Sequence, residues 1–457
     1  MPILKCIVLL CLPLQAFASS LDSLKVQDIL IEGNAKTNSA IILRELSFKP
    51  GDVIADWPST VQENTQRLLN LFLFNEVKIE SNASRVIIKV KERLYVWPKI
   101  DCSTADRNFN QWWLSKDLKR LNLNTQLGIF NIKGQNKSLW FRSQLGYTSA
   151  LSLTFKQPYI NAQKTIGIQA QLYYSANKEI WIQTANDKLQ FYSANNQTMI
   201  KRLGAEAWLL YRPQIYTYHA LGMGLRHIGI ADSALVHQGN NPYLWQGLSS
   251  QKEMNLAYQL SIDKRNLKGF PTMGYLIKAQ CDWNTLWAQS SSLHYWQLKG
   301  SVAKYWPIRK KLFASIGVAA KYVNFEYLPY NKFQSLGYGK DYIRGYELYV
   351  VDGHAFAIAK AELKWRILQK TYRFLPKVKH YESLPTQLFL TVFNDCGYVS
   401  NVRSKTQPDG NQLPNQWLNG FGAGLNVVMY TDYCARLEYS TNHMGGSRWY
   451  LSFVTAF

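Results

Sequence analysis

The sequence predicts a mainly β protein: a transmembrane antiparallel β-barrel of about 16 strands, preceded by one small α+β domain. Three observations carry this. From Leu94 onward apolar and polar residues alternate with period two over long segments; Tyr and Trp are abundant (28 and 15 in 457 residues); and the chain ends in a strand-like segment whose last residue is Phe457.

The N-terminus, MPILKCIVLLCLPLQAFASS, has a basic residue at Lys5, an apolar run from Cys6 to Leu14 and the triplet Ala16-Phe17-Ala18. This is the layout of a secretory signal covering residues 1–18 and cleaved after Ala18. Its apolar run is shorter than the roughly 20 residues a spanning helix needs. Of the six cysteines, Cys6 and Cys11 lie in that signal; Cys102, Cys281, Cys396 and Cys434 are too scattered for a disulfide framework or a zinc site. No metal and no cofactor is expected. Net charge is +22, yet residues 24–93 are nearly balanced (ten Lys/Arg, nine Asp/Glu), so the excess lies in residues 94–457. Without a basic helix or a stacking motif, that excess points to anionic lipid headgroups, including lipopolysaccharide, or a positively lined lumen, and not to nucleic acid.

Residues 24–93 read as a domain in the order β-α-α-β-β. VQDILIEGN alternates like a strand and stops at Gly33-Asn34; Thr37 and Asn38 can cap the helix SAIILREL; Pro50-Gly51-Asp52 is a turn; Ser59 or Thr60 can cap a second helix through VQENTQRLLNLF. NEVKIES and SRVIIKVKE follow as two strands joined at Asn82-Ala83. If the segment Asn75 to Glu80 is a sheet edge, Val77 and Ile79 become candidates for holding an extended client strand.

Residues 94–457 read as the barrel. Ile166, Ile168, Ala170, Leu172 and Tyr174 share one face; so do Leu312, Ala314, Ile316, Val318, Ala320 and Tyr322; and Ala355 through Ile367 at odd positions oppose Lys360, Glu362, Lys364 and Arg366. Aromatic groups such as WWL, YLWQ and LHYW read as interfacial girdles, and 228–253 and 324–352 as long outer loops. A soluble sandwich also alternates, but it favours shorter strands and needs no export signal.

Within the second loop lies Arg344, between Ile343 and Gly345 and before Tyr346. The same parity that sends Leu388, Leu390 and Val392 outward turns Asp395 inward, and Glu362 shares the inward face of its own strand. A guanidinium folded into the lumen can bridge two such carboxylates, with Gly345 allowing the tight approach.

The N-terminal domain resembles a polypeptide-transport-associated (POTRA) domain, with glycines at Gly33 and Gly51 and the Leu71, Phe74, Val77 pattern. Ile343-Arg344-Gly345-Tyr346 resembles the V/I-R-G-F/Y loop signature of the BamA/TamA superfamily of outer-membrane insertases and translocators. Phe393-Asn394-Asp395-Cys396-Gly397 is similar to its F-x-D-x-G strand motif. Asp263 to Gly274 is similar to its D-x-R…P-x-x-G turn, and the stretch from Gly420 to its G-x-G-x-G-L strand. The resemblance implies a short, single-POTRA member in the outer membrane of a Gram-negative bacterium, with the POTRA-like domain in the periplasm. It implies Arg344 paired with Asp395, and unfolded outer-membrane or exported polypeptides as clients, with accessory lipoproteins as further candidate partners.

No nucleophile, phosphate loop or His/carboxylate constellation stands out, so the expected chemistry is exchange of strand pairings and not catalysis. The expected place is the seam between first and last barrel strands, carrying Tyr95, Trp97 and Pro98 on one side and Gly445, Gly446, Phe453 and Phe457 on the other. Pro98 has no amide hydrogen for a ladder. Rival readings are a two-partner-secretion-like export pore, a passive porin and a surface receptor.

Overall fold

The computed structural model describes residues 24–105, 109–194, 197–239, 241–289, 291–373, 383–403, 410–429 and 433–455. The signal segment 1–18 and Phe457 lie outside the described residues.

The first domain contains β1 (Asp28–Glu32), α1 (Ser39–Glu45), α2 (Trp57–Leu69), β2 (Phe74–Asn82) and β3 (Arg85–Glu92). Its sheet has the order β1-β3-β2: β1 runs parallel to β3 and β2 antiparallel to it, so both β1 and β2 are edges. The helices supply Ile41, Ile42 and Leu68 to a core shared with Phe74, Val77, Ile79, Val86 and Ile88. Asn38 caps α1, its side chain accepting from the Ala40 amide. The second cap differs from expectation. Asp56, not Ser59 or Thr60, caps α2 by accepting from the Ser59 amide, because Pro58 is tolerated in the first turn and lets the helix begin earlier. Asp56→Ala is expected to lower the domain's unfolding free energy by about 1 kcal/mol, read by denaturant melting of the excised domain if it folds alone and otherwise by hydrogen exchange of α2 in the whole chain.

The second part is one sheet of 16 antiparallel strands. These are β4 (Val96–Thr104), β5 (Leu121–Ile132), β6 (Lys137–Gly146), β7 (Thr148–Gln157), β8 (Ile166–Asn177), β9 (Ile200–Gln214), β10 (Thr217–Ile230) and β11 (Ser250–Asp263). They continue with β12 (Gly274–Ala288), β13 (Ser291–Arg309), β14 (Leu312–Val323), β15 (Ala355–Arg373), β16 (Ser383–Ser400), β17 (Trp417–Met429), β18 (Tyr433–Asn442) and β19 (Ser447–Thr455). A short helix after β4, α3 (Phe109–Ser115), lies against β19 and brings the two ends of the sheet together. The apolar face points outward, as at Leu172, Leu203, Leu221, Val302, Ile316, Val318 and Leu363. A continuous exposed band of this kind is stable against hydrocarbon and not against water.

Three features depart from the sequence reading. WWL lies in α3 and YLWQ in a loop turn, so neither is a strand-end girdle; a helix of seven residues is too short to show a clear period. A hairpin, Ile180–Ala185 paired with Lys188–Tyr192, stands outside the barrel sheet on the loop after β8. Finally, the outer loops are joined into a roof. Thr184 of that hairpin bonds the Tyr330 hydroxyl of the β14–β15 loop at 2.8 Å. Asp187 accepts from the amides of Gln412 and Leu413 in the β16–β17 loop at 3.0 and 3.1 Å, and its carbonyl accepts from the Val350 amide. Since β8, β14 and β16 stand on different parts of the wall, these bonds cross the barrel's mouth.

Candidate functional site

The loop between β14 and β15 folds into the lumen and delivers Arg344, which is 2 % exposed. Its guanidinium forks onto Asp395 of β16, with Nε to Oδ2 at 2.8 Å and Nη2 to Oδ1 at 2.5 Å, and the Arg344 amide donates to the same Oδ2 at 3.1 Å. Nη1 bonds Glu362 of β15 and reaches Glu438 of β18 at 3.4 Å. The Phe393 ring stacks beneath, 3.8 Å from the guanidinium carbon. Lys364 pairs with Glu362 at 2.9 Å, and Lys360 stands 3.8 Å from Asp395. One planar cation thus ties three strands, and burial makes each of these charge-assisted bonds stronger than on an open surface.

Glycines make room for it. A Cβ at Gly420 of β17 would stand 1.8 Å from the Arg344 carbonyl oxygen, and one at Gly397 of β16 would stand 2.8 Å from the Ile343 side chain. Gly345 has φ +92°, which a side chain would strain. Its carbonyl accepts from Asn442 at 2.7 Å, and the Tyr346 hydroxyl bonds His443. The loop therefore also grips the turn between β18 and β19. Glu438 was not singled out from sequence, although Tyr433, Leu437 and Tyr439 point outward and place Arg436 and Glu438 inward by the rule used for Asp395.

The seam residues divide. Trp97 and Pro98 lie in β4, Pro98 opposite Leu127 of β5. Gly445 and Gly446 form the turn into β19, Gly445 with φ +78°, and Phe453 points outward. Tyr95 instead packs at the joint between the two domains, its hydroxyl 2.8 Å from Thr37 Oγ1. Among the described residues both seam strands are short, nine residues each against nineteen in β13 and β15. On the first domain β2 is an edge, but Val77 and Ile79 point into the core. Glu76, Lys78 and Glu80 face outward, because one face of an edge strand must still complete its own core.

The first domain is clasped beneath the barrel in a manner no local pattern announces. Arg212, at the end of β9, takes Glu45 of α1 in a bidentate pair, Nη1 to Oε1 at 2.5 Å and Nη2 to Oε2 at 2.8 Å, with the Tyr159 hydroxyl at 3.0 Å. Arg44 donates to the carbonyls of Lys164 and Arg212, and the Asn38 amide to that of Gly134. Arg67 donates to the Tyr216 hydroxyl at 2.9 Å, and that hydroxyl donates to Glu63 at 2.6 Å; these partners hold the Glu63 carboxyl below the usual range against the opposing effect of burial. Glu45→Gln is expected to weaken the clasp by about 2 kcal/mol and to speed protease cleavage at the joint near residues 93–95.

Comparison with known proteins fits this geometry. Residues 131–431 match the Omp85 superfamily domain, and residues 24–93 match the POTRA domain described as the surface antigen variable number repeat. No curated protein matches the sequence significantly. Among solved structures, BamA from Haemophilus ducreyi lacking POTRA domains 1–3 is similar with a TM-score of 0.54 at 17 % identity, over 94 % of this chain and 84 % of that one. CdiB from Escherichia coli is similar with a TM-score of 0.54 at 13 % identity, over 94 % and 75 %. With a POTRA domain ahead of a 16-stranded outer-membrane barrel and an arginine lock in its lumen, the chain belongs to the Omp85 superfamily.

Proposed function

We propose that this protein inserts or exports client polypeptides at the outer membrane of a Gram-negative bacterium through the seam between β4 and β19, with the POTRA domain receiving clients in the periplasm. The observation that carries the reading is the asymmetry of the wall. The Arg344 loop clamps β15, β16 and β18 together and grips the β18–β19 turn, whereas the two strands meeting at the seam have nine-residue ladders. Pro98 removes one donor from β4, so that side of the seam has fewer bonds to exchange. The lock holds the rest of the barrel rigid while the seam exchanges partners. A client strand adding to the exposed edge of β4 keeps its amides paired as it enters lipid, where an unpaired amide costs several kcal/mol. The work is exchange of hydrogen bonds and requires no covalent step.

Clients are unfolded outer-membrane or exported chains. The outward edge of β2 offers its main chain to an extended segment, with Glu76, Lys78 and Glu80 flanking it and Val77 and Ile79 holding the strand in place from behind. Lipid and lipopolysaccharide contact the outer band, and accessory lipoproteins are further candidate partners. An axial export pore or a porin is disfavoured by the roof of loops bonded across the mouth.

The test is a scan of cysteine pairs between β4 and β19 in reconstituted protein. Oxidation of the bridging pair is expected to stop client assembly almost completely, with recovery on reduction. Normal assembly by the fully oxidised protein would refute lateral opening. A stable, wide conductance in single-channel recording would favour the porin instead.

A further inference from the structure

The C-terminal end of β15 lies at the same end of the barrel as the POTRA domain, and here the sheet is uneven. The last pair between β14 and β15 is Leu312 with Trp365, while β15 continues to pair with β16 as far as Arg373 with Ser383. The Arg366 amide donates to the Lys311 carbonyl, and beyond it no strand lies on that side of β15 among the described residues. Residues 367–373 therefore present an open strand edge about 20 Å long on the periplasmic side. All of them are exposed.

The edge is cationic. Lys370 and Arg373 lie on it, Arg309, Lys310 and Lys311 stand exposed in the adjoining turn, and neither stretch contains an acidic residue. A bulge after Arg366 shifts the register, so Lys370, opposite Thr386, takes the outward face and Arg373, opposite Ser383, the inward one, and the edge carries a cation on each side. Among the described residues the POTRA domain bonds the turns before β6, β8 and β10 and meets Lys268, in the turn before β12, with its Phe72 ring; none of these partners lies on β15. We infer that the β15 edge is a second docking strand, which pairs with an extended acidic segment of an incoming client. An unpaired edge supplies main-chain donors and acceptors without regard to sequence, and the flanking cations set the sign of the partner. Pairing of this edge with the same edge of a second copy is opposed by like charge. This inference rests on the reading that the protein handles client chains.

The test uses full-length protein in nanodiscs with a photo-crosslinking residue in place of Thr371. Probes are synthetic peptides of alternating Glu-Thr, Lys-Thr and Ser-Thr. The acidic peptide is expected to crosslink roughly fivefold more than the neutral one, with the preference weakening in high salt. Lys370→Glu with Arg373→Glu should shift the preference to the basic peptide, folding being checked by heat-modifiable gel mobility. Equal labelling by all peptides, no peptide labelling, or crosslinks to phospholipid alone would overturn the proposal. β16, β17 and β18 separate this edge from the seam, so crosslinking should survive a seam disulfide. Loss of crosslinking with client assembly intact defeats this inference alone, and assembly unaffected by the seam disulfide defeats the lateral reading alone.

Discussion

Arg344→Leu is expected to release the β14–β15 loop from the lumen and to remove most client assembly. The substitution leaves Asp395, which is fully buried, together with Glu362 and Glu438, facing one another with only Lys360, Lys364 and Arg436 near them. Removing one member of a buried ionic set costs about 3–5 kcal/mol, chiefly through the charges left behind. The measurement is protease cleavage within 324–354 on folded, reconstituted protein, together with an assembly assay. Arg344→Lys should be intermediate, since an ammonium is a point charge and cannot fork onto Asp395 while also holding Glu362. An Arg344→Leu protein with a protected loop and normal assembly would show that the lock is dispensable.

Gly420→Val is expected to give the same phenotype with every charge retained. Any side chain there meets the Arg344 carbonyl oxygen at 1.8 Å, and that contact is backbone, so it cannot swing aside. Overpacking of this kind costs about 1–3 kcal/mol or more. Because both substitutions act on one seated loop, the double variant should be little worse than either alone. Gly300→Ala is the control, its new Cβ meeting nothing nearer than 3.9 Å, and it should be neutral.

What the sequence revealed follows from how each feature is encoded. Strand parity is a local property, and it was enough to put Glu362 and Asp395 on the inward wall. Glu438 was equally legible, since Tyr433, Leu437 and Tyr439 mark its strand's outer face; it was missed because no motif drew attention to β18. The Glu45–Arg212 clasp was not legible at all: its partners are 167 residues apart, and each looks like an ordinary surface charge within its own element. Val77 and Ile79 illustrate the opposite limit. Their strand was correctly read as a possible edge, but whether an alternating residue faces a partner or its own core depends on the helices packed behind it. WWL resembled a girdle because composition alone cannot tell a helical turn from a strand end.

The stitching of the roof at Asp187 has an evolutionary corollary. Its carboxylate reads the main chain of residues 412 and 413, and its carbonyl reads the main chain of Val350, so the side chains at those three positions do not enter the bonds. Val350 and Leu413 are buried apolar side chains and Asn411 bonds the hairpin through its own amide group, so of these positions only the exposed Gln412 is open to substitution, whereas an insertion or deletion of one residue in any of the three loops shifts the register of all of them. Natural variants should keep the spacing of these loops and place their substitutions at exposed positions such as Gln412.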